Sequence, residues 1–167
     1  MRVYIPATLP MLAELVAEGS WQPRSGTAFA VTPTLRESYA EGDDEELAEV
    51  ALGEAARASL RLLCADADDV MPLRRAVVVA DAPAGTATLR PDLDDAVVRL
   101  SGPVVVDQVA AVYVDNPAAE PAVRAAIAVI DEADLGDEDA ELTVGDAQDH
   151  DLAWYATQEL PFLLELL

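Results

Sequence analysis

Arg74-Arg75-Ala76-Val77-Val78-Val79-Ala80 is the stretch on which the fold turns. Three consecutive β-branched residues with no polar alternation suit a strand covered on both faces; a half-solvated strand would alternate. The run therefore predicts a central strand with Val77, Val78 and Val79 all buried. Upstream lies the strongest helical pattern in the chain. Asp43, with Glu46 three residues on, resembles a capping box, and Leu47, Val50, Ala51, Ala55, Ala58 and Leu62 mark one face. Its alanines permit close approach to a sheet. Further upstream, residues 2–5 read as a strand and residues 9–16 as a helix ended by Gly19. Residues 20–26 read as a loop, residues 27–31 as a second strand, and Thr32-Pro33 as a helix start. Residues 66–69 form a polar break ahead of the valine run. Downstream, residues 82–95, rich in Pro, Gly and Asp, predict a loop and the place where disorder is expected. Residues 96–100 and 110–115 predict strands, Asn116-Pro117 or Glu120-Pro121 a helix start, and residues 141–144 a short last strand. Val3-Tyr4-Ile5 and Val112-Tyr113-Val114, each followed by a proline turn and a helix, echo one another.

These elements predict an α+β fold: a mixed sheet of about five strands with two or three helices mainly on one face, in a ferredoxin-like or similar sandwich. The β-α-β start should cross over right-handed. With 167 residues, 52% of them apolar, the chain fits a single domain over residues 1–167, with an amphipathic C-terminal segment at 150–167.

Charge limits the partners. Thirty-two acidic residues face ten basic ones, a net −22 at pH 7, and every basic residue is Arg. A salt-loving proteome or a GC-rich genome would each produce this; the abundance of Ala and Arg favours the second. So negative a field repels nucleic acid and anionic membrane and attracts basic proteins or cations. No apolar run is long enough to span a membrane, the N-terminus lacks the features of a signal peptide, and Cys64 is the single cysteine. The expected location is the cytoplasm.

Candidate chemistry is sparse. Residues 131–141 hold seven acids, but a calcium loop started at Asp137 would place Leu142 where glycine is needed and Gln148 where the bidentate glutamate is needed. A solvated connector is the simpler reading. His150, the single histidine, sits between Asp149 and Asp151 and could act as a general acid or base, with Tyr4 and Arg2 as further catalytic candidates. It equally suits a surface position near a helix start. Cys64, among Leu62, Leu63 and Ala65, reads as buried and inert, and no spacing supports a Cys64–His150 pair. No phosphate-binding loop is present; Arg74-Arg75 either binds an anion or balances Asp68 and Asp69. No cofactor and no metal is expected.

In the C-terminal segment, Trp154 and Tyr155 supply an aromatic anchor, and Phe162, Leu163 and Leu166 an apolar end. Such an end packs on the sheet or docks on another chain, a protein partner or a second copy.

Four stretches carry a resemblance. Met1-Arg2-Val3-Tyr4-Ile5-Pro6-Ala7-Thr8, residues 30–37, residues 55–63 and His150-Asp151-Leu152-Ala153-Trp154-Tyr155 through Pro161 resemble a small acidic actinobacterial family of unknown function. The resemblance spans nearly the whole chain and implies a GC-rich origin; it brings no activity and no site residues. The residues favour a non-enzymatic protein-binding or regulatory module. The alternatives are an enzyme with a scattered carboxylate, tyrosine and histidine site, and a DNA mimic that binds a basic protein. A mimic would gather its carboxylates on one elongated face, whereas the placement of acids at helix ends and loops predicts scatter.

Overall fold

The structure, a computed structural model, describes residues 1–66 and 71–167. The chain runs β1 (Arg2–Ala7), α1 (Leu9–Glu18), β2 (Ser20–Trp21), β3 (Thr27–Phe29), α2 (Pro33–Ser38) and α3 (Asp44–Ala65). It continues through β4 (Ala76–Asp81), β5 (Ala87–Leu89), β6 (Val97–Leu100), β7 (Val104–Val105) and β8 (Val109–Asp115). It ends with α4 (Glu120–Asp134), α5 (Glu138–Gln148), β9 (Leu152–Tyr155) and α6 (Leu160–Glu165). Among the described residues seven strands form one sheet in the order β5-β6-β3-β1-β4-β8-β9, and β2 pairs with β7 as a separate ribbon. The valine strand, β4, is interior as predicted, and Val77, Val78 and Val79 are all buried.

Several expectations are corrected. The sheet has seven strands rather than about five, and every pairing in it is antiparallel rather than mixed. β1 and β3 pair directly and antiparallel, so the chain does not open with a right-handed β-α-β crossover, and its element order is not that of a ferredoxin-like fold. The cause lies in residues 20–26. There β2 pairs with β7, and a 3-10 turn at Arg24–Gly26 feeds β3 back in the opposite direction. β5 sits inside the expected loop 82–95. Residues 141–144 belong to α5 rather than to a strand. The polar break at 66–69 extends outside the described residues.

Among the described residues there are six helices, and they lie on both faces, α1 and α6 on one and α2 and α3 on the other, where two or three mainly on one were expected. Side-chain parity shows how. On one face, Val3, Ile5, Ala76, Val78, Val112 and Val114 pack with Leu9, Leu12 and Leu15 of α1 and with Leu160 and Leu163 of α6. On the other, Tyr4, Phe29, Val77 and Tyr113 meet Leu35 of α2 and Leu47, Ala51, Ala55 and Ala58 of α3. Each buried Leu or Val adds about 1.5–3 kcal/mol. Local signals place the helices well. Asp43 caps α3 by accepting from the Glu46 amide at 2.9 Å, Thr32 caps α2 by accepting from the Leu35 amide at 3.0 Å, and Gly19 ends α1 at φ +74°.

Ser59 joins α3 to the sheet. Its hydroxyl donates to the Ala7 carbonyl at 2.7 Å and accepts from the Ala76 amide at 3.1 Å, bridging β1 and β4 where their ladder ends. Ser59→Ala leaves both buried groups without this partner, so a loss of about 1–3 kcal/mol in chemical unfolding is expected. An unchanged midpoint would contradict that role.

The α4–α5 hairpin packs Val123, Ala126, Ile130 and Val144 on Leu60 and Leu63 of α3. Arg57 and Arg61 clasp it from outside: Arg61 Nε donates to Asp134 Oδ2 at 2.7 Å, and Arg57 Nη2 donates to Glu141 Oε1 at 2.7 Å. The Arg61 bond holds the Asp134 carboxyl below its ordinary range, and the Arg57 bond does the same for Glu141. Carboxyls depressed on folding contribute fully above their unfolded pKa, near 4, and lose that contribution as pH falls through the depressed value. Thermal stability of the wild type should therefore fall more between about pH 5 and pH 2 than that of R57A/R61A. Equal pH slopes would sink the clasp.

Candidate functional site

The C-terminal unit is a strand followed by a short helix. β9 lies at the end of the sheet, paired on one side only, to β8. Asp115 donates its amide to the Arg75 carbonyl at 3.1 Å, and backbone groups alternate in direction along a strand. Val112 and Val114 therefore point to β9 and bond Tyr155 and Ala153, their register partners. The amides and carbonyls of Leu152 and Trp154 are left at the open edge. The side chains of this unit divide cleanly. Leu160 and Leu163 are buried and Tyr155 is half-buried against α1 and the sheet. Trp154 is 56% exposed, Phe162 67% and Leu166 85%. Trp154 lies opposite Tyr113, on the α3 side of the sheet.

A groove of about 430 Å³ runs between α3 and the start of β9, lined by Glu49, Leu52, Ala56, Arg75, His150 and Asp151 among others. Its floor is set by a buried ion pair. Arg75 Nε and Nη2 donate to the two carboxylate oxygens of Asp115 at 2.9 and 2.7 Å, and Nη2 also donates to the His150 carbonyl at 2.8 Å. Asp115 Oδ2 further accepts the Arg75 amide at 2.8 Å. Arg75 thus ties β4, β8 and the turn into β9 together. Its charge is balanced within the fold, which leaves it poorly suited to hold a free anion. Arg74 pairs with Glu120 at 3.2 Å; Asp68 and Asp69, the acids weighed from sequence, lie outside the described residues. In an adjoining pocket, burial pushes the Glu54 carboxyl up, and Asp94 adds to the effect.

The catalytic candidates do not converge. Arg2 pairs with Asp81 at 3.0 Å at one end of β4, whereas His150 is held by Arg75 just before its other end. Six residues of strand separate those ends, about 20 Å. Tyr4 lies near Arg2 on the α3 face, and burial pushes its hydroxyl up. Cys64 packs toward α4, eight residues along α3 beyond Ala56 of the His150 groove, and burial pushes its thiol up, the reverse of an activated nucleophile. Asp137 caps α5 by accepting from the Ala140 amide at 2.8 Å, so the stretch tested for a calcium loop is a helix. Among the described residues no group of three or more His, Cys, Asp or Glu is placed to hold a metal ion.

Residues 43–46 begin α3, Asp94 acts on Glu54 midway, and residues 131–141 flank its later half, over a helix about 33 Å long. Arg36, Arg57 and Arg61 interrupt that line by pairing with Asp44, Glu141 and Asp134.

Sequence reasoning singled out the C-terminal apolar residues as partner-binding candidates but missed the role of Arg75, which ties the turn into β9 to β4 and β8. The one available signal was an arginine opening a fully buried strand, which must find a buried acid.

Fold and site together define an antiparallel, helix-covered α/β protein with an open aromatic sheet edge. The profile described as "Family of unknown function (DUF6912)" matches residues 1–164, so the chain belongs to that family. No curated protein and no solved structure matches it. Among the described residues no helix is long and apolar enough to cross a membrane.

Proposed function

We propose that this chain is a non-enzymatic protein-binding module, a single cytoplasmic domain that engages its partner through the β9–α6 unit. One observation carries the reading: the unit is anchored by Leu160, Leu163 and Tyr155, yet Trp154, Phe162 and Leu166 are left in water. A firmly held element with uncovered aromatic and aliphatic groups suits docking, because the bound shape needs little further ordering. The partner is a basic protein rather than nucleic acid or membrane. Eight of the ten arginines already sit in ion pairs, so most of the acidic excess faces solvent unneutralised. An enzymatic reading lacks support, since His150 lies about 20 Å along β4 from Arg2 and Tyr4.

The test is affinity capture from the source cells with wild-type protein and with W154A/F162A. Both substitutions are at exposed positions and should change stability by no more than about 0.5 kcal/mol each. A protein retained by the wild type and lost from the variant is the expected result. Identical retained sets would sink the proposal.

A further inference from the structure

We infer that the open edge of β9 takes up an extended basic segment of the partner as an eighth strand of the sheet. This rests on the protein-binding reading above and adds its geometry and chemistry. Leu152 and Trp154 present unpaired backbone donors and acceptors at the sheet edge, the template on which a strand adds. Their side chains both face α3, so alternate residues of an added strand would lie beside the Trp154 ring and over Leu152 at the mouth of the groove. Glu49 and Asp151 line that groove, and Asp149 and Glu159 flank β9 at its two ends.

Charge selects the occupant. Arg75 is the arginine that lines the groove, and Asp115 already neutralises it. A second copy of this chain, with net charge −22, would set like charges against these acids along its own edge. A strand with arginine or lysine at alternate positions would instead place cations beside them. Apolar residues between would meet the apolar face. Such a complex should weaken with salt, because the acids that favour it are exposed.

The probe is a seven-residue peptide of alternating arginine and valine, followed by amide hydrogen exchange on the full chain. Bound peptide should slow exchange at the amides of Leu152 and Trp154 by about tenfold or more, while Ala153 and Tyr155, already bonded to β8, change little. Leu152→Pro deletes an edge amide that β8 does not use and sits at the first strand position, where proline is tolerated. It should weaken peptide binding about tenfold. The same peptide with glutamate for arginine should not bind. Binding without protection at Leu152 and Trp154, equal binding of the glutamate peptide, or no binding at low salt would each overturn strand addition. The exchange measurement needs no variant, so it decides even if Leu152→Pro fails to fold. Partner capture that depends on Trp154 and Phe162, together with any of those failures, would leave the protein-binding reading standing and remove this one.

Discussion

Arg75→Ala should cost about 3–5 kcal/mol in chemical unfolding, the range for breaking a buried ion pair from one side. The substitution leaves the Asp115 carboxylate buried and facing only the residue 75 amide. It also frees the His150 carbonyl, and with it the turn that seats β9. Against a typical total of 5–15 kcal/mol, such a loss is close to unfolding. Asp115→Ala should fall in the same range, and the two losses should be strongly non-additive, because either one already removes the shared interaction. Independent, additive losses below about 1 kcal/mol would show that the pair does not hold β9 in place.

Gly26→Ala is the second large effect. Gly26 sits at φ +66°, and a methyl group there would overlap the backbone carbonyl oxygen of Leu100 on β6. Backbone strain and overpacking add, so a loss of about 3 kcal/mol is expected. Gly19→Ala is the control. Its φ is +74°, but nothing lies within 4 Å of the added carbon, so only the strain of a left-handed alanine remains, about 1 kcal/mol. Equal losses at the two positions would mean that close approach of β3 and β6 does not constrain the turn.

The local architecture was legible where one residue type forces one conformation. Thr32-Pro33, Asp43 and Gly19 mark helix ends that the structure keeps, and Val77-Val78-Val79 lies inside the sheet. What escaped was long-range. Nothing in residues 20–26 shows that β2 will pair with β7, more than eighty residues on, and turn β3 antiparallel. The strand β5 is short and largely exposed, held by pairing to β6 rather than by its own composition. Acidic residues 131–141 suggested a solvated connector because Arg57 and Arg61, which pair with Glu141 and Asp134, are distant in sequence. In the C-terminal segment, composition identified the apolar residues. The division between anchored Leu163 and exposed Phe162 and Leu166 needed the position of α1 beneath them.

Docking through the β9–α6 unit has a natural rival surface. Leu135 and Leu142, on the α4–α5 hairpin, are 89% and 71% exposed, more apolar area in water than Trp154 offers as a fraction of itself. The decisive measurement is the affinity of the captured partner, by calorimetry, for wild type, W154A/F162A and L135A/L142A. If the partner docks at β9–α6, W154A/F162A weakens binding by about a hundredfold, two hot-spot contacts' worth, and L135A/L142A leaves it unchanged. The reverse pattern would place the partner on the helical hairpin and contradict the central claim.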